Sequence, residues 1–104
     1  MPGIDFDQLR REITMEQVLT LIGFEPTRRG GDQWHGCCPL HDATSNRRTS
    51  FSVNVAMRVY YCHKCRSQGD QIQLWAAYTQ LANRPAAIDL CREIGREVPW
   101  IYRW

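Results

Sequence analysis

The 104-residue chain predicts an α+β fold, an antiparallel β-sheet flanked by short α-helices, and three observations carry that prediction. Phe51-Ser52-Val53-Asn54-Val55 alternates apolar and polar residues without interruption, as a half-buried strand does, and Val59 to Cys62 follows closely enough to pair with it as a hairpin. Segments on either side show helical apolar spacing and begin at capping residues. Two pairs, Cys38 with His41 and Cys62 with Cys65, bracket the hairpin at the spacing of zinc ligands.

In chain order, residues 4 to 13 are charged with scattered apolar positions and read as a short first helix. Thr14 with Gln17 forms a capping box, and Met15, Val18, Leu19 and Ile22 recur at helical spacing until Gly23 supplies a stop. Pro26 through Asp32 reads as a loop, leading to a short strand around Gln33 to Cys37. After the hairpin and Gly69, Asp70 caps a helix bearing Ile72, Leu74, Trp75, Ala76 and Tyr78. Pro85 opens the last helix, with Ile88, Cys91 and Ile94 inward and Gly95 as its stop. The ending, Val98 to Trp104, is apolar.

A second hydrophobic core does not fit in this length, so residues 1–104 are expected to form one domain, with a metal-bound core over about 33–69 and helices on either side. Five cysteines, an odd number, fit a disulfide scaffold poorly. The start lacks a basic region followed by an apolar stretch, and no later segment is long enough to span a bilayer. The expectation is a reduced, cytoplasmic protein without membrane partners. The net charge of +2 conceals an asymmetry: residues 28 to 66 carry +5 and the remainder −3. Three zinc-bound thiolates lower the first figure by one, and the metal-binding half stays positive, which suits an anionic partner such as nucleic acid.

Each cysteine-containing pair places two ligands on one tight turn, and a hairpin between the pairs can bring them into a tetrahedron. Cys62 and Cys65 alone could be a redox dithiol, but that motif belongs to a strand-to-helix setting, and here a β-hairpin precedes it. With Cys38, His41, Cys62 and Cys65 all supplied by the protein, the site is closed and the zinc structural, not catalytic. Cys37 competes with Cys38 for the first position. Cys38 shares a strand face with Trp34 and Gly36 and directly precedes Pro39, so Cys38 is taken as the ligand, with Cys37 and His35 as packing residues. Cys91 lies on the inner stripe of a helix and reads as a small core residue.

Four stretches together resemble a known family: Trp34-His35-Gly36-Cys37-Cys38-Pro39-Leu40-His41, Thr49-Ser50-Phe51-Ser52-Val53, Tyr60-Tyr61-Cys62-His63-Lys64-Cys65 and Gly69-Asp70-Gln71-Ile72. They look like the N-terminal zinc-binding domain of bacterial and phage DnaG-like DNA primases. The resemblance implies a zinc-ribbon-type antiparallel sheet and carries the family's ligands onto Cys38, His41, Cys62 and Cys65. It implies binding of single-stranded DNA template and help in selecting where a primer begins during DNA replication. It also implies partnership with a primase catalytic subunit or a helicase. The loop from His41 to Phe51 is a few residues longer than the family's, and Thr49 stands where proline is common. Family primases continue into a polymerising domain whose clustered acids hold magnesium. Asp5 and Asp7 precede a helix, where the dipole favours acids, so no catalytic residue is assigned and the chain alone is not expected to polymerise nucleotides.

A single-strand-binding surface needs cations that follow phosphates and flat side chains on which bases stack. Arg47, Arg48, Arg58, Lys64 and Arg66 supply the first on neighbouring turns, and Tyr61 and His63 the second. Trp34, Trp75 and Tyr78 read as core residues. Tyr61, opposite in parity to Tyr60 and Cys62, is the tyrosine expected to face outward. An alternative role, a zinc-stabilised protein-interaction adaptor of replication or of a mobile element, is motivated by the aromatic tail Pro99 to Trp104.

Overall fold

The computed structural model describes residues 3–38, 40, 51–63 and 66–101. In chain order they form β1 (Gly3–Ile4), α1 (Phe6–Glu12), α2 (Met15–Ile22), β2 (Arg28–Gly30), β3 (Gln33–Gly36), β4 (Phe51–Asn54), β5 (Val59–Cys62), β6 (Gln68–Gly69), α3 (Gln71–Thr79), α4 (Asn83–Ile94) and β7 (Trp100–Ile101). Strands β2 to β6 make one antiparallel sheet in sequence order, and β1 pairs with β7 in a separate ribbon.

Each helix starts and stops where its local chemistry directs. Asp5 caps α1 by accepting from the Gln8 amide, and the Thr14–Gln17 box closes both ways at α2, which ends at Gly23 in the left-handed region. Asp70 and Gln73 form a second reciprocal box at α3. Gly69 makes that box possible. Its φ of +152° lies outside the comfort of L side chains, and a Cβ there would collide with the folded-back Gln73 side chain.

Paired positions on neighbouring strands share a face, so the register sorts the sheet into two surfaces. Trp34, Val53 and Tyr60 form one inward row, and Gly36, Phe51 and Cys62 the next. Phe51 is fully buried, with Phe24 edge-on at 5.2 Å and Tyr60 stacked at 5.8 Å. Gly36 is glycine because a Cβ would sit 2.8 Å from the Phe24 ring. Helix α3 closes the core, touching α1, α2, α4, β5 and β6.

Gln71, fully buried, fastens α3 to α1. Its Nε2 donates to the carbonyls of Arg10 (2.9 Å) and Ile13 (2.7 Å), groups at the end of α1 that have no helical partner. Arg10 in turn donates to Asp70 at 2.6 Å. Replacing Gln71 by leucine strands the Ile13 carbonyl in an apolar setting. The expected loss is about 1–3 kcal/mol, read as a lower urea midpoint at unchanged slope.

Several expectations are corrected. Residues 26–32 are not all loop, because Arg28–Gly30 forms an edge strand by folding back on β3 through Gly31 and Asp32. No apolar alternation marks that strand; its partner creates it. Trp34 is half-buried near this edge, with the Arg29 guanidinium 4.3 Å over its ring. Tyr78 is 42% exposed, lying outside the buried Trp75 at a ring separation of 5.8 Å. The inward stripe of α4 is Ala86, Ala87, Leu90 and Cys91, whereas Ile88 and Ile94 are half-buried. In the tail, Trp100 and Ile101 are not free: they pair with Ile4 and Gly3, and Arg84 lies over the Trp100 ring at 5.3 Å. Tyr102 to Trp104 lie outside the described residues.

Candidate metal centre

Strands β3 and β5 run parallel to one another on either side of β4, so both end at the same edge, where β4 begins. The row Gly36–Phe51–Cys62 marks that edge. Cys62 closes β5, and Cys38 follows β3 by two residues. Each is at most 1% exposed and belongs to the hydrophobic core. The topology thus delivers two of the expected ligands, from segments separated in sequence, to one end of the sheet. His41 and Cys65 lie outside the described residues.

The local backbone suits sulfur that carries negative charge. The amide of Leu40 donates to Cys38 Sγ at 3.4 Å, the kind of hydrogen bond that orients a metal-ligating sulfur. After Cys62 the chain reverses tightly. The Cys62 amide donates to the Ser67 carbonyl and the Arg66 amide to the Cys62 carbonyl, both at 2.9 Å, with Arg66 at φ +60°. Tyr60 and Ser67 share a 2.8 Å hydroxyl hydrogen bond beneath this turn. Buried cysteine sulfur beside an amide donor fits a soft, thiolate-accepting metal such as zinc. Cys91 is a separate case: it sits on α4, and burial pushes its thiol pKa up, against a smaller opposite influence of Arg96.

The face of the sheet turned away from the helices carries the polar partners of these rows. The register runs Arg28–His35–Ser52–Tyr61–Gln68 across all five strands. At the strand spacing of a β-sheet this row is about 19 Å long. Tyr60 is buried, whereas Tyr61 lies on this other face, half-buried, with the exposed His63 edge-on to it at 4.8 Å. Arg66 is exposed on the turn at the cysteine end. Arg58 is elsewhere. It occupies the β4–β5 turn at the opposite end of the hairpin, and its guanidinium donates to the Arg10 carbonyl. Arg47, Arg48 and Lys64 lie outside the described residues. His35 and Arg28, given no nucleic-acid role by the sequence, stand in the same row as Tyr61. The signal for them was strand parity, legible only once the register with Ser52 was known.

Comparison with known proteins agrees with this geometry. A family model described as a CHC2 zinc finger, the DnaG-type zinc ribbon, matches residues 3–102. DNA primases of Myxococcus xanthus (35% identical over 68 residues), Helicobacter pylori J99 (33% over 76) and Rickettsia felis (33% over 94) cover 65, 73 and 90% of the chain. The chain spans only 11, 13 and 15% of those proteins' own lengths. A crystal structure of the Aquifex aeolicus primase, containing zinc-binding and RNA polymerase domains, superposes with a TM-score of 0.71 at 26% identity. That match covers 91% of this chain and 22% of the other. Among the described residues, no helix is long and apolar enough to cross a membrane.

Proposed function

The chain belongs to the CHC2 zinc-finger family of DnaG-type DNA primases, and on that footing we propose that it is a zinc-stabilised module that binds single-stranded DNA template and helps a primase begin a primer. Cys38, His41, Cys62 and Cys65 hold one structural zinc in this reading. Cys38 after β3 and Cys62 at the end of β5 would be tied together through the metal, and four protein ligands would leave no open position for catalysis. The module acts within, or beside, a polymerising subunit and has no catalytic residue of its own.

The observation that carries the DNA-binding reading is the outward row Arg28–His35–Ser52–Tyr61–Gln68 next to the cysteine end. It sets a cation, two flat rings and hydrogen-bonding groups along one line, the combination that single strands require. Arg66 supplies further charge for phosphates, and Arg47, Arg48 and Lys64, which lie outside the described residues, are assigned the same part from the sequence. Arg58, engaged with the end of α1, is assigned a structural part instead.

Fluorescence anisotropy of zinc-loaded protein with labelled single strands tests this. Affinity is expected to fall steeply with salt, because neutralised phosphates release counterions. Tyr61→Ala should weaken binding by about 1–3 kcal/mol through lost stacking. Folded, zinc-loaded protein that binds no single strand at low salt would refute the proposal.

A further inference from the structure

The two edges of the five-stranded sheet differ. At one, β6 runs directly into α3, which packs against it. At the other, β2 is exposed over its whole length, Arg28 to Gly30, and is paired only with β3. The hydrogen bonds around this edge show where its main chain points. The Asp32 carbonyl accepts from the Val55 amide and the His35 carbonyl from the Thr27 amide, both at 2.9 Å. Main-chain groups alternate in direction along a strand, so Trp34, two residues on from Asp32, turns its own toward β4, and Arg29, opposite Trp34, receives no backbone partner from β3. The Arg29 amide and carbonyl therefore point out of the sheet edge, a donor and an acceptor of the kind that a further strand engages.

The side chains of this edge are cationic, and one is already ordered. Arg28 and Arg29 stand on opposite faces of β2. Among the described residues neither has a carboxylate within ion-pair distance. The Arg29 guanidinium lies 4.3 Å over the Trp34 ring, and that ring is held in turn by its Nε1, which donates to the Gly31 carbonyl at 3.2 Å. A cation stacked in this way loses less freedom on meeting a carboxylate. Charges on an edge repel like strands and admit opposite ones. A second copy of this chain, added antiparallel about the Arg29 main chain, sets Arg29 directly against its own counterpart. A nucleic acid lacks the peptide repeat that extends a sheet. An acidic polypeptide meets both demands.

We propose that the open edge of β2 receives an extended acidic segment of a partner protein as a sixth strand. Neighbouring residues of the added strand face opposite sides, so two adjacent carboxylate residues meet Arg28 on one face and Arg29 on the other. Arg28 also ends the outward row Arg28–His35–Ser52–Tyr61–Gln68, whereas Arg29 lies on the opposite face. A partner and a single strand therefore contend only for Arg28, and Arg29 belongs to the partner alone. The site stands whether or not the row binds DNA.

The test titrates zinc-loaded protein with a short labelled peptide carrying two adjacent aspartates between valine and threonine residues, and with the same peptide bearing lysines in their place. The aspartate peptide is expected to bind and the lysine peptide not. Amide hydrogen exchange at Arg29 should slow in the complex, since a new backbone hydrogen bond protects it. Arg29→Glu should weaken the aspartate peptide about tenfold and admit the lysine peptide, a gain that loss of structure cannot mimic. Arg29→Pro, tolerated at an edge where the N–H faces solvent, should abolish binding with the native circular dichroism spectrum retained. Four results overturn the inference: folded protein that binds no aspartate peptide at low salt; a bound peptide that leaves Arg29 exchange as fast as before; a single-stranded oligonucleotide that protects the Arg29 amide in the peptide's place; and self-association that Arg29→Pro disperses, which assigns the edge to a second copy. Each leaves the single-strand-binding reading standing.

Discussion

Extraction of the proposed zinc by a strong chelator is expected to unfold the region from β3 to β6, with loss of the sheet contribution to the circular dichroism and a change in Trp34 fluorescence. Cys38 and Cys62 sit at 1% and 0% exposure in the core, with Cys62 the register partner of Phe51, so two of the expected ligands are part of the packing that holds the sheet together. Structural zinc sites in small peptides carry apparent binding free energies of about 10–16 kcal/mol at neutral pH. A domain of this size has a total stability of about 5–15 kcal/mol. The metal term is therefore large enough to decide whether the sheet exists. Cys62→Ser should act in the same direction, because it removes a ligand at the end of β5 and places a hydroxyl beside Phe51. A spectrum that stays native after complete, independently verified loss of zinc would show that helix packing alone supports the sheet.

Truncation of Phe51 is expected to be the most damaging apolar substitution. Its ring is fully buried, contacts Phe24 and Tyr60, and stands in the row between Gly36 and Cys62. Phe51→Ala should cost about 3–5 kcal/mol, measured as a reduced denaturant midpoint in the zinc-loaded protein. The surrounding backbone cannot collapse freely into the space, because β4 is paired on both sides. Phe51→Leu keeps most of the volume and should cost much less. The comparison separates packing from ligation: Phe51→Ala should leave the metal content at one zinc per chain wherever the protein remains folded, whereas Cys62→Ser should lower it. Equal loss of zinc in both would mean that the aromatic cluster positions the ligands more directly than the strand register implies.

The motif Gly69-Asp70-Gln71 illustrates how far a sequence signature can be read. Asp70 as a helix cap is a local matter, since its side chain needs only the Gln73 amide three residues on, and the chain alone specifies it. The purpose of Gln71 is not local. Its partners, Arg10 and Ile13, are about sixty positions away, and nothing in the spacing of Gln71 distinguishes a buried fastener from a solvated first-turn residue.

By itself, the sequence determined the helix starts at Thr14 and Asp70, the stops at Gly23 and Gly95, and the β4–β5 hairpin, because capping, left-handed glycine and two-residue alternation all act within a few residues. It also determined the family and the spacing of the cysteine-containing pairs. Tertiary structure alone decided that Arg28–Gly30 is a strand, that Trp100 and Ile101 pair with the first residues of the chain, and that Arg58 fastens the hairpin to α1. It also brought His35 into line with Tyr61, through the register of β3 on β4 and β4 on β5. These features depend on hydrogen bonds between segments distant in sequence, whose energy appears only when the partner is in place, and no local pattern of residues records them.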